Sequence, residues 1–330
     1  MTLPELESEV RDLINHHRKQ HALLQHSADW NKLCSALDVV GDTELALDAY
    51  LSHNGVEDVG LRYLFIYGAL QILQTQQVAV EHICEALKIK PQNSPKIPAI
   101  REIRSSAVGH PTEQREAGLL KSSFIQRISL GHHGFDLMTV YSSDRPHTLR
   151  HVSVPELVDQ QRQVLRSVLE EVVKKLTEEE MSHRAKYKTE PLRDAFPPTL
   201  GYHISKICEA VREPMYFPLG IANVAVVAEC LERFKTMLEK RGEWGVHDFI
   251  NYEFELLQYP LEQLRSFFTN REGSKLNEKD VYIFASFVHG QMKQLQVMAS
   301  ELDEEYSGQP MRKVGANPPL NRKRRKRRAS

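Results

Sequence analysis

The sequence predicts an all-α protein with a small antiparallel β-hairpin insertion and a helical C-terminal extension. Apolar residues recur at three- and four-residue spacings over most of the 330 residues, which is the pattern of amphipathic helices. The pattern changes between Ser123 and Val154, where short β-prone stretches alternate with Gly131, Gly134 and Pro146. No apolar run approaches the roughly 20 residues of a membrane span, so we expect no transmembrane helix.

The N-terminal region begins with amphipathic helices. The spacing predicts one helix over 3–26 and a second over 29–40. Gly41 is expected to interrupt the second helix, so that Asp42 or Thr43 caps a third helix from Glu44 to Tyr50. A long helix follows, because residues on one face step by four and three with a single polar exception: Ile66, Leu70, Leu73, Gln77, Val80, Cys84 and Leu87.

Proline and glycine delimit the next elements. Pro98 is typical of a first helical turn, and Gly109-His110-Pro111 must close the helix that follows, because a residue before proline disfavours helical backbone. A long charged helix begins at Pro155. Between these two helices, three stretches predict a two- or three-stranded hairpin: 124–128, 137–141 and 148–152.

Three prolines between Glu190 and Pro198 mark the best internal boundary. We therefore expect a helical domain over 1–189, with its β insertion at about 123–154, and a helical C-terminal region over 190–306. Helices in that region are predicted at 199–213, 218–242, 246–270 and 277–306. Residues 307–330 have few apolar side chains, which predicts a disordered basic tail.

The net charge of −1 conceals two opposed parts. Nine of the 43 basic residues lie in 312–330, which hold none of the 44 acidic ones, so the body has 34 basic against 44 acidic residues, or −10, and the tail has +9. Such a tail neutralises phosphates by counterion release, so it could bind RNA, DNA, an anionic lipid surface or the acidic body itself. The candidate nucleic-acid-binding run is Arg322, Lys323, Arg324, Arg325, Lys326, Arg327 and Arg328.

Cysteine and histidine usage predicts neither a disulfide nor a metal. Four cysteines lie far apart within apolar helical patterns, as reduced core thiols do. Five histidines crowd one region without metal-ligand spacing, and we expect them to face solvent, with no cofactor: His110, His132, His133, His147 and His151. The acidic, amphipathic N-terminal segment differs from a signal peptide, so a cytoplasmic location is expected.

The sequence lacks a phosphate-binding loop, a Rossmann glycine triplet, a Gly-x-Ser-x-Gly elbow and a His-Glu-x-x-His motif. The segment 100–112 remains, with Arg104 and His110 at the end of one helix. Six residues of unbroken helix would separate them by about 9 Å along the axis and place them on different faces. The Gly-His-Pro corner can instead turn His110 toward Arg104, so that both side chains could meet one phosphate. The guanidinium can donate hydrogen bonds to the phosphate oxygens, and the imidazole can take or give a proton.

This segment, together with the Gln-rich helix at 63–80, resembles the HEPN superfamily and its Arg-x(4–6)-His motif, over about residues 28–180. The resemblance implies a metal-independent endoribonuclease of stress or phage defence, acting as a homodimer in which two Arg/His pairs meet in a cleft. Arg104 would then hold the scissile phosphate and stabilise its developing charge. His110 would handle the proton of the attacking 2′-hydroxyl, giving a 2′,3′-cyclic phosphate. Ser105 departs from the Asn, Asp or His that most often follows the motif arginine.

Ser105, Gln77 and Glu102 are candidate supporting residues. Gln77 is a satisfied core glutamine, a partner of the motif region or a dimer-interface residue. A purely structural alternative pairs Arg104 with a carboxylate such as Glu113 and leaves His110 as a helix cap. The functional alternatives are a non-catalytic HEPN-like scaffold or interaction module, and a partner of a nucleotidyltransferase in a toxin–antitoxin pair.

Overall fold

A computed structural model describes residues 1–116, 119–142 and 145–308. The chain divides into two compact units, Met1–Glu179 and Glu180–Ser330. Most of the described residues are helical and one small antiparallel sheet accompanies them, which confirms the mostly helical class that the sequence predicts. From residue 309 onward the predicted basic tail, including Arg322–Arg328, lies outside the described residues.

Unit 1 holds the N-terminal helices and the sheet. Its helices are α1 (Leu3–Ile14), α2 (His17–Leu24), α3 (Ser27–Ser52), α4 (Val59–Ala86), α5 (Pro98–Arg104) and α6 (Val154–Tyr187), the last of which continues into unit 2. One apolar cluster joins α1, α3, α4 and α6 through residues such as Leu6, Leu37 and Val80. A second cluster joins α3, α4 and α5 to the sheet through residues such as Ile66 and Phe135.

The helix boundaries near the N-terminus correct two predictions. The stretch 3–26 forms two helices rather than one, because His16 leaves the helical conformation (φ −59°, ψ 131°) between α1 and α2. Gly41 does not interrupt α3, which runs unbroken to Ser52. Thr43 Oγ1 donates to the carbonyls of Val39 (2.6 Å) and Val40 (3.0 Å), so its hydroxyl bonds within the helix rather than capping a new one.

The sheet has four antiparallel strands in the order β1 (Gln114–Glu116), β2 (Leu119–Ile125), β3 (Gly134–Tyr141) and β4 (Thr148–Ser153). The prediction of two or three strands beginning at Ser123 is therefore wrong. The missed strand β1 is short and polar, so it carries no alternating apolar signal. Phe135, Leu137 and Val152 cover the buried face of the sheet and pack into the second apolar cluster.

Unit 2 is helical, and its four predicted helices are confirmed to within three residues at each end. They are α7 (Leu200–Ala210), α8 (Phe217–Arg241), α9 (Asp248–Thr269) and α10 (Glu278–Ser307). Their inward faces share one core that includes Ile207, Phe234, Leu257 and Leu295. A 3₁₀ turn, Leu192–Ala195, packs against α8 and α10.

A buried ion pair fixes the end of α8 to α10. Arg241 Nη2 lies 2.8 Å from Asp303 Oδ1, and the side chains of both residues are almost completely buried. Asp303 also accepts hydrogen bonds from the backbone N–H groups of Leu192 (2.8 Å) and Arg193 (3.0 Å). Both oxygens of the Asp303 carboxylate are therefore hydrogen-bonded, and this one buried charge joins α8, α10 and the 3₁₀ turn.

One stretch of the described residues, Pro214–Arg241, is long and apolar enough to span a membrane by length and composition alone. Its inward residues, including Val224, Val227 and Leu231, pack in the core of unit 2. The core helix of a soluble protein passes the same test, so this stretch is weak support for a membrane span.

All four cysteines are free thiols, as predicted. Cys84 and Cys230 are buried, and Cys34 and Cys208 are half-buried. Burial raises the pKa of the Cys84 thiol to about 11, so this group is protonated at neutral pH and inert as a nucleophile.

Candidate functional site

Arg104 and His110 lie at the two ends of a single π-helical turn. Arg104 is the last residue of α5, and Ser105–Gly109 form the π turn. The backbone N–H of His110 closes this turn by donating to the Ser105 carbonyl (2.7 Å). The helix therefore ends at the predicted Gly-His-Pro corner, but its last turn is wider than the sequence predicts. Such π turns are frequent at functional sites.

The Arg104 guanidinium is held by an amide of α4. Its Nε (3.1 Å) and Nη2 (2.8 Å) both donate to Gln71 Oε1. Among the described residues no carboxylate lies within ion-pair distance of Arg104, so the predicted pairing with a group such as Glu113 is not found there. The neutral amide orients the guanidinium without neutralising its positive charge.

Gly109 lets the guanidinium lie against the backbone of the π turn. A Cβ placed on Gly109 would come within 2.9 Å of Arg104 Nη1, closer than real Cβ contacts allow. Because Gly109 immediately precedes His110 and successive Cα atoms are 3.8 Å apart, Arg104 Nη1 lies within roughly 8 Å of the His110 Cα atom. The turn thus places the Arg104 guanidinium near the backbone of His110, and the approach of the two side chains to one phosphate stays a prediction.

The His110 side chain is exposed. Its backbone leaves the helix at φ −138° and ψ 58°, and the next residues follow the edge of β2. The Pro111 carbonyl accepts from Ser123 N (2.7 Å), and the Thr112 carbonyl accepts from Ser122 Oγ (2.7 Å). Within the described part of the chain no hydrogen bond joins the side chains of Arg104 and His110.

The predicted supporting residues divide into those near the pair and those away from it. Ser105 Oγ accepts from Gln114 Nε2 (3.1 Å), and Ser106 Oγ donates to Gln114 Oε1 (3.2 Å). Ser105 thus ties the π turn to β1. Glu102 is largely exposed, and its carboxylate lies 4.0 Å from Lys121 Nζ, so it takes no part in holding Arg104.

Gln77 belongs to a chain of buried amides rather than to the motif pair. Gln77 Nε2 donates to Gln161 Oε1 (2.8 Å), and Gln161 Nε2 donates to Gln76 Oε1 (2.7 Å). All three side chains are completely buried. Gln76 Nε2 continues the chain to Glu44 Oε1 of α3 (2.7 Å), whose second oxygen lies 2.9 Å from Arg162 Nη2.

The other end of this amide chain fixes the start of α5. Gln77 Oε1 accepts from the backbone N–H of Ile97 (3.2 Å) and from Arg101 Nε (3.0 Å). Gln77 is therefore a satisfied core glutamine that acts one turn before Arg104. The residue that touches Arg104, Gln71, is exposed. Gln71 lies outside the apolar stripe of α4 on which Gln77 is the polar exception, and nothing else in the sequence distinguishes Gln71.

The prediction of solvent-facing histidines is wrong for His132. Its ring packs against the rings of Tyr50, His53, Phe65 and His133 at centroid distances of 4.3–5.8 Å. Both ring nitrogens are buried and have no hydrogen-bond partner among the described residues. Burial, and secondarily the neighbouring His133 and His53, lower the pKa of His132 below its ordinary value of 6.5.

No group of three or more potential metal ligands occurs in the described part of the chain. No family model, no curated protein and no solved structure matches the sequence or the fold. The likeness to the HEPN superfamily therefore stays a prediction carried by the motif residues.

The His132 environment predicts a pH-dependent stability. Because the folded protein disfavours the imidazolium, stabilisation from neutral His132 is complete above pH 6.5 and is lost progressively as the pH falls below that value. His132→Phe keeps the ring packing and removes the titration. Urea denaturation between pH 7 and pH 5 should give a smaller loss of stability for this variant than for the parent.

Phe65→Leu is the control for a packing defect, because it perturbs the same ring cluster without removing a titrating group. It should lower the stability by a similar amount at every pH. Parallel profiles for the parent and His132→Phe would contradict the assignment.

Proposed function

We propose that unit 1 binds single-stranded RNA and cleaves it without a metal ion, using Arg104 and His110. One observation carries this proposal: a guanidinium that no described carboxylate neutralises lies against Gly109 of the π turn, and the residue that follows Gly109 is the exposed His110. A positive hydrogen-bond donor near an imidazole, which can accept and donate a proton, matches the charge and proton demands of phosphodiester transfer.

The residues divide the reaction between them. Arg104 donates hydrogen bonds to a nonbridging phosphate oxygen and stabilises the charge that develops on the pentacoordinate phosphorus. His110 takes the proton of the ribose 2′-hydroxyl as its oxygen attacks phosphorus. The bond to the 5′-oxygen breaks, and that oxygen receives a proton from water. The products are a 2′,3′-cyclic phosphate and a 5′-hydroxyl, so the reaction consumes no cofactor.

The outer face of the sheet supports a single-stranded substrate. Residues 111 and 112 lie along β2, next to an exposed apolar row that crosses three strands. Phe124 is 48% exposed and pairs with Met138, which in turn pairs with the 57% exposed Leu149. Unstacked bases bind to exposed aromatic rings, whereas paired bases in a duplex do not present their faces.

The first test is cleavage of a mixed-sequence single-stranded RNA by the purified full chain in excess chelator. The parent should produce 2′,3′-cyclic phosphate ends. Arg104→Ala and His110→Ala should each lower the cleavage rate by at least about 100-fold, the size expected for loss of a catalytic proton-transfer or charge-stabilising group. Glu102→Ala is the matched control on α5 and should retain activity.

Cleavage that the chelator abolishes, or that both variants retain, would contradict the catalytic assignment. RNA binding without cleavage by the parent would instead favour the non-catalytic interaction module.

A second test uses the contact at Gly109. A methyl group there displaces the mobile end of Arg104 rather than backbone, so Gly109→Ala should leave the free energy of unfolding within about 1 kcal/mol of the parent. The same variant should lower the cleavage rate about ten-fold, because the added methyl group displaces Arg104 Nη1 from its position against the turn.

Gly68→Ala is the control, since no atom lies within 4 Å of a Cβ at that position of α4. Its activity should equal that of the parent. Full activity in Gly109→Ala would contradict the placement of Arg104 against the turn.

A further inference from the structure

An apolar groove opens between α9 and α10 of unit 2. Its volume is about 460 Å³, and it is lined by Tyr252, Leu256 and Tyr259 from α9 and by Ile283 and Phe287 from α10. These side chains are not turned into the core of the unit. Tyr259 is 60% exposed and Ile283 is 65% exposed, so two neighbouring helices present apolar residues on the same side.

The groove is part of a longer pattern. On α9 the stripe continues as Phe249, Tyr252, Leu256 and Tyr259, with steps of three and four residues. On α10 it continues as Ile283, Phe287, Gly290, Gln294 and Val297, with steps of four and three. These spacings are those of helices that pack through a second seam, as in a four-helix bundle. The inward seam of each helix already fills the core of unit 2.

Charged residues flank the two stripes with opposite signs. Asp248, Glu255 and Glu262 recur every seven residues on α9, and the first two each come just before a stripe residue. Lys279 and Lys293 lie fourteen residues apart at the equivalent position of α10. Among the described residues none of these five side chains has an ion-pair partner. An acidic row on one helix and a basic row on the other are complementary if α9 of one molecule meets α10 of another.

The exposed area is close to what one partner of a stable dimer contributes. Phe249, Tyr252, Tyr259, Ile283, Phe287 and Val297 are each between 39% and 65% exposed. At about 150–250 Å² for a large side chain, they offer roughly 500–800 Å² of exposed surface, most of it apolar. A standard interface buries about 800 Å² per partner, with a polar rim around an apolar centre.

We propose that the α9–α10 face is a two-fold interface between two copies of this chain, in which α9 of one copy packs along α10 of the other. The four helices complete a bundle around the apolar stripes. The row Asp248, Glu255 and Glu262 faces Lys279 and Lys293 of the second copy, and two-fold symmetry makes every such pair occur twice. Gly290, with no atom within 4 Å of a Cβ in its own chain, allows close approach of the second copy.

Sedimentation velocity of the full chain over a concentration series, without RNA, tests the interface. The parent should dimerise. Ile283→Asp and Phe287→Asp should each weaken the dimer at least about 30-fold, because they bury an unpaired carboxylate at its centre. Both positions are solvent-exposed in the single chain, so the fold should persist, which circular dichroism checks. Ile128→Asp, at a position 97% exposed in unit 1, is the matched control and should leave the dimer unchanged.

Charge reversal tests the pairing of the helices. Glu255→Lys alone and Lys293→Glu alone should each weaken the dimer several-fold, and the double reversal should restore it to within about two-fold of the parent. A chain that is monomeric at every concentration would overturn the proposal. So would a dimer that Ile283→Asp leaves intact, and a double reversal that does not restore the dimer would overturn the pairing of α9 with α10.

Discussion

The chain of buried amides in unit 1 is the constraint on which the candidate site depends. A completely buried glutamine that loses a hydrogen-bond partner costs about 1–3 kcal/mol, so any arrangement of the helices that breaks the bonds of Gln76, Gln77 or Gln161 is disfavoured by that amount. The donors and acceptors connect α3, α4, α5 and α6. Apolar packing alone tolerates small shifts of one helix along another, whereas this chain of hydrogen bonds fixes their register.

Hydrogen bonds from the same helix, α4, also position the motif helix α5. Gln77 accepts from Ile97 N and Arg101 Nε at the start of α5, and Gln71, six residues earlier on α4, accepts from Arg104 at its end. α5 therefore runs antiparallel to α4, held at both ends by glutamine oxygens. The π turn starts at the residue after Arg104. The position of the guanidinium relative to His110 thus follows from hydrogen bonds to two glutamines of one helix.

The charge state of the site follows from the same choice of partner. Arg11 and Arg162 are each bonded to two carboxylates, which cancel their charge locally. Arg104 is oriented by a neutral amide oxygen instead, so its guanidinium keeps its electrostatic attraction for an anion. In a body with a charge of −10, a guanidinium that no carboxylate of the described residues neutralises attracts phosphate locally.

The sequence predicts well wherever an apolar period or a backbone restriction dominates. The four helices of unit 2, the long stripe on α4 and the end of the motif helix at Gly109 follow from such signals. It fails where a side-chain hydrogen bond decides. Thr43 bonds within α3 instead of capping a helix, β1 has no apolar alternation, and Gln71 meets Arg104 only through tertiary packing. The ring nitrogens of His132 are buried because rings distant in the sequence surround them, which no local pattern reveals.

Hydrogen exchange of the parent and of Gln77→Leu tests most directly whether the amide chain positions the motif. Leucine keeps the volume and removes the acceptor for Ile97 N and Arg101 Nε. Amides of residues 98–110 should exchange at least about ten-fold faster in the variant, while those of α8 in unit 2 stay unchanged. Gln160→Leu, at an exposed position of α6, should match the parent. Unchanged protection of residues 98–110 in a folded Gln77→Leu variant would contradict the account.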